Sequence, residues 1–313
     1  MVPILLRMLD YLLMNMAPII LFVYNRREHV SQTIQALQRN DLARDSDLFI
    51  FSDAPKNEDA VPMVKEVRTY IRDIGGFKNI QIVERGKNFG LAKNIIDGVT
   101  TIVDQYGRVI VLEDDIVISP YFLRYMNDAL RVYESEERVI SIHGYTYPVK
   151  GSLPETFFLR GADCWGWATW KRGWDIFEPD GEKLMHDLER KKLKRRFDLN
   201  GAYSFTRMLD EQIHGKNDSW AILWYASALA RGKFTLYPGR SLVQNIGTDG
   251  SGTHCGDTNF FTTSASTVPI EIERIPVEES STALREFEAY LRSQYPGLIG
   301  RARNVFRGVL SRI

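Results

Sequence analysis

Several things are scarce in this 313-residue chain, and each scarcity closes off a class of protein. Cys164 and Cys255 are the only cysteines and show no CxxC spacing. Neither a disulfide framework nor a thiolate metal knuckle can therefore staple the fold, and such usage suits a reducing compartment. Charge of one sign is not in surplus: 40 Lys+Arg stand against 40 Asp+Glu. That balance excludes a generic polyanion binder, whose affinity comes from neutralising phosphates. No clean apolar run reaches the ~20 residues that a bilayer span needs. Residues 1–16 (MVPILLRMLDYLLMNM) come nearest but carry Arg7 and Asp10, and they lack the charged start and small-residue cleavage site of a signal peptide. They read as an amphipathic lead-in, or as an upstream extension if Met16 is the natural start; a membrane-surface segment is the sharper alternative. Internal repeats and low-complexity linkers are absent too.

What is present is ample core material, with 44% hydrophobic and 12% aromatic residues. From Ala17 onward short apolar runs alternate with stretches at helical spacing. Ile19–Val23 reads as a buried strand, and Val30, Ile34 and Leu37 recur at i, i+4 and i+7 as one helix face. Leu48–Phe51 and Asn79–Glu84 read as strands around a helix at 59–73. A helix over 90–105 leads into the strand Arg108–Leu112. Ser119-Pro120 is a helix-start signal, and Phe122, Met126, Ala129 and Tyr133 form the inward face of the helix it opens. Val139–Ile142 is a further strand. Strands alternating with helices predict an α/β fold with a mainly parallel central sheet and helices on both faces. In such sheets ligands bind at the carboxyl ends of strands. The polar residues at those ends are Asn25-Arg26, Asp53, Arg85 and Glu113-Asp114-Asp115.

The second half differs in character. All six tryptophans lie between residues 165 and 224. The last two, Trp220 and Trp224, fall in an apolar helix over Trp220–Ala230, and a glycine-rich loop over 247–256 (GTDGSGTHCG) follows. The expected division is therefore an extension at 1–16, a first part at 17–150, a second, tryptophan-rich part at 151–264, and a basic amphipathic appendage at 265–313. Trp220 and Trp224, four apart on a helix, are core by default. Trp165, Trp167 and Trp170 either fill core or line a cleft where rings stack on sugar C–H faces.

Three adjacent acids repel one another, so Glu113-Asp114-Asp115 at a strand end calls for a cation. Hard oxygen ligands favour Mg²⁺ or Mn²⁺, which would in turn neutralise a diphosphate. A solvated acidic loop is the plain alternative, disfavoured by the strand before it and the helix signal after it.

The ordered set of features over roughly residues 17–260 resembles a GT-A nucleotide-sugar glycosyltransferase, similar to bacterial family-2-like enzymes and to N-acetylglucosaminyltransferase I. The segment Phe22–Arg27 (FVYNRR) resembles the family's opening nucleotide loop, which implies roles for Tyr24, Asn25 and Arg26. Asp53 falls where the family holds the uracil base. Asn88–Asn94 (NFGLAKN), with Asn88, Gly90 and Lys93, resembles the segment touching nucleotide and sugar. Glu113-Asp114-Asp115 matches the DxD-type motif, implying that Asp115 touches Mn²⁺ (or Mg²⁺) and that Glu113 and Asp114 serve the nucleotide. The motif opens with Glu rather than Asp, so Glu113 touches the ribose or only supports the loop. Phe158–Trp174 looks like the acceptor-side aromatic loop, with Trp165 and Trp167 as acceptor residues.

Inversion at the sugar places the base opposite the leaving group, hence in the second half. Asp218, Glu211, Asp210 and Asp175 are candidates, and the resemblance selects Asp218. An Asp before a helix is also a common N-cap. His254 in the glycine loop is implied as a metal or diphosphate ligand; His29, His143, His186 and His214 read as structural or surface.

The implied function is metal-dependent, inverting transfer of a hexosyl or N-acetylhexosaminyl group from a UDP-sugar to a glycan or lipid-linked glycan, with polysaccharide biosynthesis as the setting. A sugar-nucleotide pyrophosphorylase is disfavoured because FVYNRREHV lacks that class's glycine run; a carbohydrate-binding or scaffold protein would not need the acids. Arg190–Arg196 (RKKLKRR) follows Asp187 and Glu189, so a solvated helix face outweighs nucleic-acid binding. From Tyr290 onward there is no acid, and five arginines are spread among apolar residues. That pattern suits either an anionic membrane surface or a helix packed on the parent domain. The expected location is cytoplasmic, or peripheral on the inner membrane face.

Overall fold

The computed structural model describes residues 15–248 and 260–294. Its centre is an eight-stranded sheet built from β1 (Ile19–Val23), β2 (Asp47–Ser52), β3 (Asn79–Glu84), β4 (Arg108–Glu113), β6 (Val139–His143), β7 (Thr156–Arg160), β8 (Trp167–Trp170) and β9 (Phe234–Pro238). The strand order is β3-β2-β1-β4-β8-β6-β9-β7. β3, β2, β1 and β4 are mutually parallel, as are β6 and β9, whereas β8 and β7 run against their neighbours. The fold is thus mixed α/β around a mostly parallel sheet. Strands from both sides of residue 150 belong to this one sheet. A separate antiparallel ribbon pairs β5 (Ile116–Ile118) with β10 (Val243–Asn245).

Alternation along β1 shows why helices cover both faces. Ile19, Leu21 and Val23 pack with Val30, Ile34 and Leu37 of α1 (Arg27–Gln38), Val67 and Ile71 of α2 (Ala60–Arg72), and the buried face of α4 (Phe122–Val132). Ile20 and Phe22 point the other way, to Ile95, Val99 and Ile102 of α3 (Leu91–Tyr106). Successive residues of a strand face opposite sides, so a central strand must be apolar throughout. The same second face receives Trp167, Trp174 of α5 (Lys171–Trp174), and Trp220 and Trp224 of α9 (Trp220–Ala230). Behind α9 lies a further layer made by α6 (Gly181–Arg190), α7 (Lys194–Phe197) and α8 (Phe205–Ile213). α10 (Ser281–Gln294) packs Ala283 and Phe287 against β7 and β9.

Two local expectations shift. α4 starts at Phe122 rather than at Pro120, with the Ser119 hydroxyl accepting the Tyr121 N–H. The stretch expected as an aromatic loop contributes β8, a central strand between β4 and β6.

The basic run 190–196 lies mostly at the surface, and part of its charge is paired within the chain. Arg190 pairs with Asp187, Lys194 with Glu189, Arg196 with Glu279, and Lys191 donates to the Ala230 carbonyl. Among the described residues no helix is long and apolar enough to cross a membrane. The arginines beyond residue 294, like residues 1–14, lie outside the described residues.

Candidate active site

The carboxyl ends of β1, β2 and β4 bring the expected residues to one edge. β1 pairs Phe22 with Glu113 and Val23 with Ser52, so Tyr24-Asn25-Arg26, Asp53 and the acid triad follow directly from neighbouring strands. Arg26 closes the gap between them. Its Nη2 bonds Asp114 and lies 2.7 Å from Asp115 Oδ2. Burial favours its neutral form, but Asp114 and Asp115 outweigh that and raise its pKa. Burial likewise pushes the Asp114 carboxyl up, and the Arg26 charge pulls it back. Glu113 is also raised, by burial first and then by the two aspartates. His29 of α1, which reads in the sequence as structural or surface, is a smaller influence favouring the ionised Asp114.

The triad is held by backbone as well as by charge. The Thr33 hydroxyl donates to the Asp114 carbonyl, and the Ile246 N–H to the Asp115 carbonyl. Immediately after β10, Gly247 passes so close that a Cβ there would overlap Asp115 Oδ2. Only glycine permits that approach. The glycine-rich loop thus begins directly over the acids, while His254 falls outside the described residues.

These residues offer a divalent cation two hard carboxylates, Asp114 and Asp115, which suits Mg²⁺ or Mn²⁺ by ligand type. Among the described residues no group of three His, Cys, Asp or Glu side chains is assembled to hold a metal. Further ligands would have to come from a diphosphate and water, as Mg²⁺ sites commonly arrange. Arg26 competes for the same oxygens. By ligand type Asp114 and Asp115 could hold such a metal if Arg26 gave up Asp115.

Asp53 is tied into its own surroundings. Its Oδ1 accepts the N–H groups of Ala54 (2.8 Å) and Phe89 (2.9 Å), and its Oδ2 accepts Gly90 N–H (2.9 Å) and Asn88 Nδ2 (3.1 Å). A carboxylate has about four lone-pair sites, and all are taken. Asp53 therefore ties down the 88–90 segment. Asn88 adds a bond to the Ala54 carbonyl at 2.7 Å. Gly90, with φ +74°, leads into α3 in a conformation that side chains disfavour. Tyr24 accepts the Lys56 N–H, Asn25 is half-buried beside it, and Lys93 is exposed with Nζ 5.0 Å from the Phe89 ring centroid. Arg85 stacks over Phe89 and bonds Asn94 and Asp97.

The acceptor-side residues divide. Trp167 is fully buried and touches Trp174, Trp220 and Trp224, with ring centroids 5.5–5.9 Å apart. It is core and has no surface to offer a sugar. Trp165 is half-exposed, standing edge-on to Tyr145 at 4.8 Å and to Phe261 at 5.4 Å. Asp218 is exposed ahead of α9 but does not cap it; the Ser219 hydroxyl accepts the Ile222 N–H instead. The rival bases pair with basic neighbours: Asp175 with Lys171, Glu211 with Arg207, Asp210 with His214.

His143 at the end of β6 is a feature that the sequence pattern does not single out. It is fully buried, burial lowers its pKa, and neither ring nitrogen has a hydrogen-bond partner among the described residues. Leaving a buried polar atom unpaired costs about 1–3 kcal/mol. Its position after an apolar strand, at the ligand edge, was the only signal available.

No protein-family model matches the chain, and no curated protein does. Among solved structures, the chain is similar to the mannosyltransferase PcManGT from Pyrobaculum calidifontis in complex with GDP-Man and Mn²⁺. That match has 16% identity and TM-score 0.32, covering 46% of this chain and 42% of that one. S. aureus TarS 1–349 shows 13% identity and TM-score 0.33, with 50% and 47% covered. A UDP-glucose pyrophosphorylase complexed with UDP-glucose shows 14% identity and TM-score 0.37, with 71% and 90% covered. This chain spans less than half the length of the first two. Overlaps of this size carry no activity across.

Proposed function

We propose that this protein is a GT-A glycosyltransferase that moves a sugar from a nucleoside-diphosphate sugar, UDP-linked in preference, to a glycan or lipid-linked glycan. The observation that carries the reading is the buried cluster of Arg26, Asp114 and Asp115 at the carboxyl edge of a mostly parallel sheet, overlain by Gly247. A diphosphate meets there both a guanidinium and carboxylates suited to a divalent cation. The Asp53-anchored 88–90 segment and Tyr24 form the nucleotide side, with Lys93 at its exposed rim.

Bound through Asp115, Mn²⁺ or Mg²⁺ would offset charge on the departing nucleoside diphosphate. Arg26, released from Asp115, turns to the phosphates and keeps a positive charge at the site. Exposed Asp218 takes the proton of the acceptor hydroxyl as the new glycosidic bond forms on the face opposite the leaving group.

Calorimetric titration with UDP, GDP and dTDP, with and without MnCl₂, tests the reading. One diphosphate should bind with strong Mn²⁺ dependence, and Asp115→Asn should remove that dependence. Absence of binding for every nucleotide, with and without metal, would sink it.

A further inference from the structure

The loop between β7 and β8 returns to the sheet beside the end of β6, because His143 pairs with Trp167 and the Gly144 N–H donates to the Gly166 carbonyl at 2.7 Å. Val111 pairs with the same Trp167, so this loop emerges at the edge that carries the acid triad. Asp163, Cys164 and Trp165 of the loop are partly exposed. The Asp163 side chain is 31% exposed, and Trp165 is half-buried against the core. A carboxylate and an indole two residues apart match what a pyranoside offers, hydroxyls on its rim and C–H groups on its face.

Asp163 is not held as an ordinary surface acid. One oxygen accepts the Cys164 N–H at 2.9 Å. The other lies 3.5 Å from Nε2 of His143, inside ion-pair range but too long for a hydrogen bond. His143 is 0% exposed, has no hydrogen bond from either nitrogen among the described residues, and presents Nε2 to the rear of that carboxylate. Buried polar atoms without partners are rare enough to demand a reason. Hydrogen bonds in empty sites are often long and tighten only when the substrate arrives.

We propose that Asp163 joins Trp165, whose acceptor role the resemblance already implies, in one sugar-binding subsite, and that His143 is a positioning residue whose Nε2–H bonds Asp163 when a sugar hydroxyl engages the carboxylate. The assignment to an acceptor rests on the glycosyl-transfer reading; the sugar subsite itself stands on the geometry of the loop. Asp163 orients the hydroxyls, Trp165 covers an apolar face of the ring, and His143 fixes the carboxylate without touching the sugar.

The test uses the full chain and a panel of methyl glycosides (β-glucoside, β-galactoside, α-mannoside and β-N-acetylglucosaminide) read by saturation-transfer NMR, with UDP and MnCl₂ titrated separately. At least one glycoside should bind the native protein, and Asp163→Asn and Trp165→Ala should each weaken it about tenfold or more while UDP affinity stays within about twofold. His143→Gln should weaken it less. The ¹⁵N signals of the His143 ring should move on glycoside addition in the native protein but not in D163N, a change that a purely structural histidine would not show. Should no glycoside bind the native protein, or D163N bind as well as native, the subsite is overturned. If glycosides bind and no nucleotide does, the subsite stands and glycosyl transfer falls; the reverse result removes the subsite and leaves the transfer reading intact.

Discussion

The two sides of the sheet edge solve opposite problems. On the β1–β4 side, charged groups neutralise one another: Arg26 with Asp114 and Asp115, Arg85 with Asp97, and Asp53 with the backbone of 88–90. On the β6–β8 side, tryptophans supply the cohesion; buried polar atoms without partners occur on both sides, Nη1 of Arg26 on the first and the His143 ring on the second. There His143 lacks a hydrogen bond among the described residues, and Asp163 is half turned to solvent. A network of paired charges is already ordered before any ligand arrives, but it is sensitive to the loss of one member. An apolar core tolerates an idle polar group at its margin and leaves it available for an incoming molecule. The contrast assigns stability mainly to one side and charge-dependent binding mainly to the other.

The largest expected effect breaks the aromatic side. Trp167→Ala should cost about 3–5 kcal/mol of unfolding free energy, measured by urea denaturation, because a fully buried indole leaves a cavity among Trp174, Trp220 and Trp224. Next, Arg26→Met should cost about 2–4 kcal/mol, since it strands carboxylates in a mostly buried site. Millimolar MnCl₂ should recover part of that loss in a thermal melt, whereas it should do nothing for Trp167→Ala. If both variants respond alike to Mn²⁺, the division between the sides is wrong. Asp53→Asn replaces acceptor lone pairs by a donor facing N–H groups, and about 1–3 kcal/mol should be lost. Nucleotide affinity should fall with it as the 88–90 segment loosens, while glycoside binding should not change.

The smallest effect is on pH dependence. Glu113 has a carboxyl pKa raised chiefly by burial, so between the ordinary carboxylate range and its raised value the folded state holds a proton that the unfolded chain has released. Its contribution to stability is therefore most favourable below the ordinary range and declines as pH rises through neutrality. Glu113→Gln should flatten the fall in melting temperature between pH 5 and pH 8 relative to the native protein, in metal-free buffer. An unchanged slope would show that the acid cluster carries no such strain.

Much of this was legible in the residues alone. Unbroken apolar runs such as Ile19–Val23 can only be central strands covered on both faces, and the i, i+4, i+7 pattern of Val30, Ile34 and Leu37 sets the inward face of α1. The gathering of Arg26, Asp53 and the acid triad at one edge followed from strand direction. β8 was less legible, because WATW between glycines and a basic helix reads as aromatic filler until β4 and β6 bracket it. The β5–β10 ribbon was hidden as well: its strands are three residues each and more than a hundred residues apart. Asp218 looked like a cap, but Ser219 one position later has the geometry to accept from Ile222.

Local pattern determined the layers, the edge and the residue types available there, since strand and helix periods act over a few residues. Tertiary structure alone decided how those residues are used. Arg26 reaches the acids across 88 and 89 positions, Asp53 meets Phe89 and Gly90 across 36 and 37, and Asp163 meets His143 from a separate strand connection. Hydrogen-bonding capacity is exhausted or left over only when all such distant partners are in place. That is why Asp53 is an anchor for the 88–90 segment, Trp167 a core residue, and His143 a buried imidazole without a hydrogen bond among the described residues.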